Sequence, residues 1–237
     1  MPCSCKISRQ GQFLGLPDHL EPRFFTGLAK NELDLILSSA RHRALASSNV
    51  VIHEGEAGQR LYLLTSGRAR HFVTTSGGRK ILLHWLTAGQ AFGGVSILAN
   101  PISYMASTEV LMDSCALVWD RKTIRDFVVR FPKLLDNALS IAVTEHIAWA
   151  VAQHVSLSSN DARQRLAHLL ISLACGMGKV ASEGVVLNVK NEDLASGANV
   201  TRFTASRVLN EWQRAGTLRK LRGKVLLRNP QDLMDSF

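Results

Sequence analysis

Two arginines, Arg202 and Arg207, stand five residues apart in the stretch NVTRFTASRVLNEWQRAG (199–216), with Thr201, Thr204 and Ser206 around them. A guanidinium is a planar fork of N–H donors. It matches a phosphate, or the O6 and N7 acceptors on the edge of guanine, while short hydroxyls suit phosphates and thymine edges. These residue types recognise; they do not make or break bonds. Apolar Phe203, Val208, Leu209 and Trp212 alternate with the polar set, Thr201 is placed to cap a helix start and Gly216 to stop it.

Such a helix needs neighbours that hold its polar face outward. Immediately before it, NEDLASGA reads as a shorter helix, with Asn191 as its cap, Leu194 and Ala195 as buried contacts and Gly197 at the turn. Val200 and Val208 anchor the second helix in a shared core. Upstream lie a helix (ARQRLAHLLISLACGMG) and a short strand (GVVLNV). Downstream, LRKLRGKVLLRN reads as a β-hairpin with Gly223 at its tip. Together these form a winged helix-turn-helix plan, whose second helix lays its first residues in a major groove. Residues 188–228 carry nine Lys or Arg against three acids, within a chain of net charge +9. Lys190, Arg222 and Lys224 are placed to reach phosphates beside the groove, the surplus that a polyanionic partner requires.

The remainder has a different texture. Residues 16–45 hold a short helical pattern through Leu28, Leu33, Ile36 and Leu37. From 49 to 120, short β-rich runs (VVIHE, RLYLLTSG, ARHFVTT, KILLHWL, SCALVW) alternate with glycine turns, the pattern of a β-roll. Helical segments then meet at Pro132. The long second one carries a stripe through Leu135, Leu139, Ala142, His146, Trp149 and Gln153, read as the interface of a homodimer. SLSSNDA (156–162) reads as a hinge. The expected class is therefore α+β: an N-terminal extension (1–23), a sensory β-roll (24–131), a dimerisation helix (132–156) and a winged helix-turn-helix domain (157–237).

No apolar run approaches the roughly 18–20 residues that span a bilayer, and MPCSCKISRQGQ lacks the apolar core of a secretory signal. Cys3, Cys5, Cys115 and Cys175 have no zinc-like spacing; reduced thiols in a cytoplasmic protein are expected, with Cys175 in the core. A cupin-like metal enzyme would need an H-x-H pair, and none occurs; no nucleophile elbow, P-loop or dinucleotide glycine motif occurs either. The chain is read as a non-enzyme. The competing readings are that metal enzyme and an adaptor that binds protein instead of DNA.

From about residue 24 to 230 the chain resembles the CRP/FNR family of bacterial transcription regulators. VVIHEGEAGQRLYLLTSGRAR is similar to the family's first roll strands, LTAGQAFGGVSIL to its L-x-x-G-x-x-x-G-E segment, and VTRFTASRVLNEWQRAGTL to its recognition helix. The resemblance implies a homodimer that reorients two recognition helices on a palindromic site in response to a small signal, with RNA polymerase as a further partner.

Four departures matter. Gly94 stands where cyclic-nucleotide-binding members have a ribose-binding glutamate, and Tyr104 and Met105 stand where an arginine and a hydroxyl hold the cyclic phosphate. An anionic phosphate without that arginine is poorly held, so cyclic AMP binding in the family manner is not expected. Trp149 falls where small polar residues meet the adenine. Tyr104, Met105, Trp149, His84 and Trp85, with Gly94, are read as a pocket for an apolar or aromatic effector, although side chains filling the roll are an equal alternative. In the recognition helix, Phe203 replaces the usual glutamate; a phenyl ring meets a thymine methyl where a carboxylate would accept from cytosine. The family also offers iron–sulfur and haem sensing. CSC (3–5) lies well before the roll without a third nearby cysteine, and His53, His71, His84, His146 and His154 are scattered, so neither cofactor is assigned.

Overall fold

The computed structural model describes residues 6–7, 13–17, 20–100, 102–159 and 161–234. The chain divides into two compact units, Met1–Arg79 with Leu83–Ala148, and Lys80–Leu82 with Trp149–Phe237.

In the first unit, β1 (Lys6–Ile7) pairs antiparallel with β2 (Phe13–Gly15). A 3-10 turn at Arg23–Phe25 and α1 (Lys30–Ser38) precede the roll. The roll strands are β3 (Arg41–Leu45), β4 (Val50–Ile52), β5 (Arg60–Ser66), β6 (Arg68–Thr74), β7 (Lys80–Thr87), β8 (Ala91–Phe92), β9 (Ser107–Val110) and β10 (Ser114–Asp120). They form two four-stranded sheets, ordered β3-β10-β5-β8 and β4-β9-β6-β7. β3, β8 and β9 lie outside the strand runs read from the sequence. RHRAL, for instance, is an edge strand with its side chains largely in solvent, so it shows no apolar alternation.

β5 and β10 read as unbroken apolar runs because both of their faces are covered. Tyr62, Leu64, Ala116 and Val118 point between the sheets, where they join Ile52, Leu86, Phe92 and Tyr104. Leu61, Leu63, Leu117 and Trp119 point the other way, onto Phe24, Phe25, Ile36, Leu37, Ile124, Val128 and Leu134. The Trp119 Nε1–H, fully buried, donates to the Ile36 carbonyl at 2.9 Å. Gly67, at φ 89°, turns β5 into β6 hard against Ser114; a β-carbon there would overlap that serine.

α2 (Arg121–Arg130) leads to a helical run made of α3 (Lys133–Ile141), a π-helical stretch at Ala142–Ile147, and α4 (Ala148–Ser159). Residues 156–159, read from the sequence as part of a hinge, are helical. The next helix, α5 (Ala162–Met177), starts at a capping box in which Asp161 accepts from the Gln164 N–H at 2.8 Å. The second unit continues with β11 (Lys179–Ala181), β12 (Gly184–Leu187), α6 (Asn191–Gly197), α7 (Arg202–Arg214), β13 (Leu218–Leu221), β14 (Lys224–Leu227) and α8 (Gln231–Met234). Its sheet has the order β11-β12-β14-β13, so the expected wing hairpin is half of a four-stranded sheet.

Two cysteine expectations are corrected. Cys175 is a free thiol but exposed, because α5 turns Leu166, Leu169, Leu170 and Leu173 to the core and Cys175 away from it. Cys115, buried on β10, is disulfide-bonded where a reduced thiol was expected. Cys3 and Cys5 lie outside the described residues.

Burial in the roll holds two imidazoles neutral. His71 is pushed down to about 3, chiefly by burial and also by the charges of His84 and His146. His84 is pushed down to about 4, by burial first and then by His146. In the unfolded chain both titrate near 6.5, so below that pH the unfolded state binds protons that the folded state refuses. Stability is therefore retained above pH 6.5 and lost as pH falls toward 4, by roughly 1.4 kcal/mol per pH unit for each group. A melting-temperature series over that window should fall steeply, and His71→Asn should flatten it. An unchanged slope in the variant would show that other groups carry the acid sensitivity.

Candidate nucleic-acid interface

α6 and α7 are joined by a four-residue turn whose strained point is Asn199, at φ 49°, and not Gly197. Asparagine tolerates this left-handed conformation better than most residues. The turn is closed by the Val200 N–H donating to the Ala195 carbonyl at 2.9 Å, and α5 grips it through Arg165 Nε on the Ala198 carbonyl at 3.0 Å. Asn191 is the first residue of α6 and does not cap it; Lys190 is the N-cap, without a side-chain bond. Leu194, Ala195 and Val208 are buried as expected, with Val200 half-buried.

Thr201 does cap α7. Its hydroxyl accepts from the Thr204 N–H at 3.0 Å. Ala205, Val208, Leu209 and Trp212 face inward and fix the rotation of the helix. Arg202, Phe203 and Arg207 therefore stand in solvent, Thr204 and Ser206 half so. Phe203 is 79% exposed, so it contributes nothing to the core and everything to the outer face. Lys190, Arg222 and Lys224 are exposed too, the last two flanking Gly223 at the wing tip. The wing is tied to α7 by Lys220, whose N–H donates to Gln213 Oε1 at 2.9 Å and whose ammonium donates to Asn210 Oδ1 at 2.6 Å.

Sequence reading missed the partners of the arginines. Arg202 Nη2 lies 3.0 Å from Glu192 Oε2, and Arg207 Nη1 lies 3.2 Å from Glu211 Oε1. Arg163 Nη1 takes the other Glu211 oxygen at 2.9 Å, with its guanidinium 5.1 Å above the Trp212 ring. The i,i+4 spacing of Arg207 and Glu211 was a visible signal; the contributions of Arg163 and Glu192 were not, since they come from other helices.

Five of the residues read as an effector pocket lie in the first unit, in different settings. Tyr104 is 8% exposed and its hydroxyl both accepts from the Arg60 N–H and donates to the Arg60 carbonyl, each at 2.9 Å. Met105 is 76% exposed, and Gly94, itself exposed, opens a 3-10 turn whose Ser96 and Ile97 are buried. His84 shares a strand face with buried Leu86, so Trp85 between them points to the opposite face. Trp149 belongs to the second unit. Inside the roll, Tyr62 stacks on Phe92 at 4.9 Å, and His71 meets the Thr108 hydroxyl at 3.0 Å and the Phe92 ring edge-on. His84 is instead brought edge-on to His146 at 5.3 Å. A cavity of about 410 Å³ lies nearby, lined among others by Arg23, Gln90, Ile141, Glu145 and His146. Arg23 Nη1 and Glu145 Oε1 pair across it at 2.6 Å. His53 and His154 are exposed. Among the described residues no group of three or more His, Cys, Asp or Glu is placed to hold a metal ion.

The exposed apolar row of the long helix also differs from the stripe read in the sequence. It runs through Leu135, Leu139, Val143, Ile147, Val151 and Val155, which are 43–64% exposed. Leu135 and Leu139 are shared with the expected stripe. Ala142, Trp149 and Gln153 are half-buried, and His146 is exposed beside His84.

The family description "Crp-like helix-turn-helix domain" matches residues 164–236, and "Cyclic nucleotide-binding domain" matches residues 42–131. The chain is 31% identical to a cyclic AMP receptor protein of Thermus thermophilus over 205 residues, 86% of this chain and 91% of the relative. Among solved structures it is similar to FixK2 from Bradyrhizobium japonicum, with TM-score 0.72 and 18% identity over 83% of this chain and 96% of that one. It is similar also to a CooA mutant from Carboxydothermus hydrogenoformans, with TM-score 0.71 and 22% identity over 94% and 97%. No helix among the described residues is long and apolar enough to cross a membrane.

Proposed function

This chain belongs to the CRP/FNR family of transcription regulators, and from that premise we propose that α7 reads a two-fold symmetric DNA site through Arg202, Phe203 and Arg207. The observation that carries the reading is the outward set of α7: two arginines, a phenyl ring and two hydroxyls on a helix whose opposite face is wholly buried. Arg202 and Arg207 contact guanine or phosphate. Thr201, Thr204 and Ser206 contact phosphates or thymine edges, and Lys190, Arg222 and Lys224 reach the flanking backbone. Regulators of this family act as dimers on DNA, and the exposed row of the long helix is where a second copy packs. RNA polymerase is a further partner in this reading, and the cytoplasm its compartment.

Selection of random duplex DNA on the purified protein tests the proposal. A palindrome bound with steep salt dependence is expected; a pool without enrichment overturns it.

Phe203 sets one base of that site. A phenyl ring cannot accept from cytosine N4 but packs on a thymine C5-methyl. Replacing thymine by deoxyuridine, which lacks only that methyl, should cost about fourfold at one position of each half-site, the value of one buried methyl group. Phe203→Ala should erase the sensitivity. If no thymine is sensitive, the ring does not read the base.

The roll takes no cyclic nucleotide in the family manner. Support comes from Tyr104, buried and engaged by the Arg60 backbone at the arginine position, and from Gly94, which has no side chain to offer a ribose. The residue types of the unit favour an apolar or aromatic effector, which the charged cavity beside Ile141, holding the Arg23–Glu145 pair, does not suit.

A further inference from the structure

We propose that Glu192 and Glu211 are positioning residues for recognition: each holds one recognition arginine by a single nitrogen and leaves the rest of its fork free for DNA. The inference rests on the reading of α7 as the DNA-contacting helix. A guanidinium has five N–H donors in a fixed plane, and a bidentate contact to guanine uses two of them. Arg207 gives Nη1 to Glu211, and Arg202 gives Nη2 to Glu192. In Arg207 this leaves the Nε/Nη2 edge of the fork whole for a bidentate contact, whereas in Arg202 Nε and Nη1 remain as donors on separate edges.

Glu211 is itself held in place. Its second oxygen accepts from Arg163 Nη1 at 2.9 Å, and the Arg163 guanidinium sits 5.1 Å over the ring of Trp212, one of the most deeply buried side chains of the unit. The chain of contacts therefore runs from the core through Trp212, Arg163 and Glu211 to Arg207. A long exposed side chain is otherwise free to sample many rotamers, and that freedom is lost when it binds. Here part of the loss is met on folding. Arg163 also balances the Glu211 charge, so that a carboxylate near the DNA backbone does not repel it. Glu192, in the first turn of α6, orients Arg202 across the turn in the same way, though without a second cation on its carboxylate among the described contacts.

Glu211→Gln keeps the size of the side chain and removes its charge. Affinity should be compared for the selected palindrome and for a scrambled duplex, at several salt concentrations. Positioning predicts that the palindrome loses affinity by on the order of 5- to 100-fold, one loosened arginine per half-site. The scrambled duplex should hold or gain, because a negative charge has gone. Arg163→Met, which frees Glu211 from its anchor, should shift the ratio in the same direction.

Three results overturn the proposal. If both affinities rise together, Glu211 competes with DNA for Arg207. If both fall together along with the melting temperature, its role is structural. If neither moves, the pair is idle. Failure of the underlying reading looks different: the unmodified protein would then select no site at all.

Discussion

Arg207→Ala should abolish enrichment of the palindrome and lower affinity for it by roughly 10²–10³-fold. A bidentate arginine–guanine contact is worth about 1–3 kcal/mol, and a symmetric dimer loses it twice. Binding to scrambled duplex should fall much less, since the hairpin basics Arg222 and Lys224 and the capping residues of α7 are untouched. The variant should remain folded. Arg207 is exposed, alanine is the best helix former, and the buried face of α7 is Ala205, Val208, Leu209 and Trp212. Its circular dichroism and melting temperature should match the parent's within a few degrees, allowing for the weak surface pair with Glu211. If the variant recovered the same palindrome at the same affinity, Arg207 would not be a reader, and Arg202 would have to carry the guanine contact alone.

Val151→Glu should convert the dimer into a monomer, while Gln153→Glu should leave it intact. Val151 belongs to the exposed apolar row of the long helix, and Gln153 to the six-residue stripe that the sequence suggests. The two residues lie nearly opposite each other around an α-helix, so only one of the two faces can be the seam. Placing a carboxylate in a desolvated apolar seam opposite its own copy combines unpaired burial with like-charge repulsion, a penalty of several kcal/mol. The monomer then loses the linkage between half-sites, and palindrome affinity should drop about 10²–10⁴-fold. Sedimentation equilibrium and DNA titration of both variants decide the matter. Dissociation by Gln153→Glu and not by Val151→Glu would restore the stripe read from the sequence.

Local patterns carry much of this molecule. The cap at Thr201, the stop at Gly216, the buried Val208 and Trp212 and the hairpin tip at Gly223 are short-range signals, and each stands where the spacing puts it. So are the short strand runs and glycine turns of the roll and the residue types at Gly94 and Tyr104, because a residue type at a known offset needs no distant partner to be recognised. A few local readings were displaced by a neighbour. The left-handed residue of the turn is Asn199 in place of Gly197, because the helix continues through the glycine before the chain reverses.

By itself, then, the sequence determined the succession of β-roll, long helix and winged helix-turn-helix, and the side chains offered by α7. Only the tertiary structure decided which face of the long helix is open, that Tyr104 and Met105 part company, that His84 meets His146, and that Arg202 and Arg207 are each paired with a carboxylate. The reasons are physical. An apolar period says that a stripe exists but assumes a uniform helix; six residues of π-helix, from Ala142 to Ile147, turn the later residues relative to the earlier ones. Arg163 and Glu211 are 48 residues apart, and Tyr104 and Arg60 are 44. Contacts at such separations arise from packing, and no period or spacing along the chain encodes them.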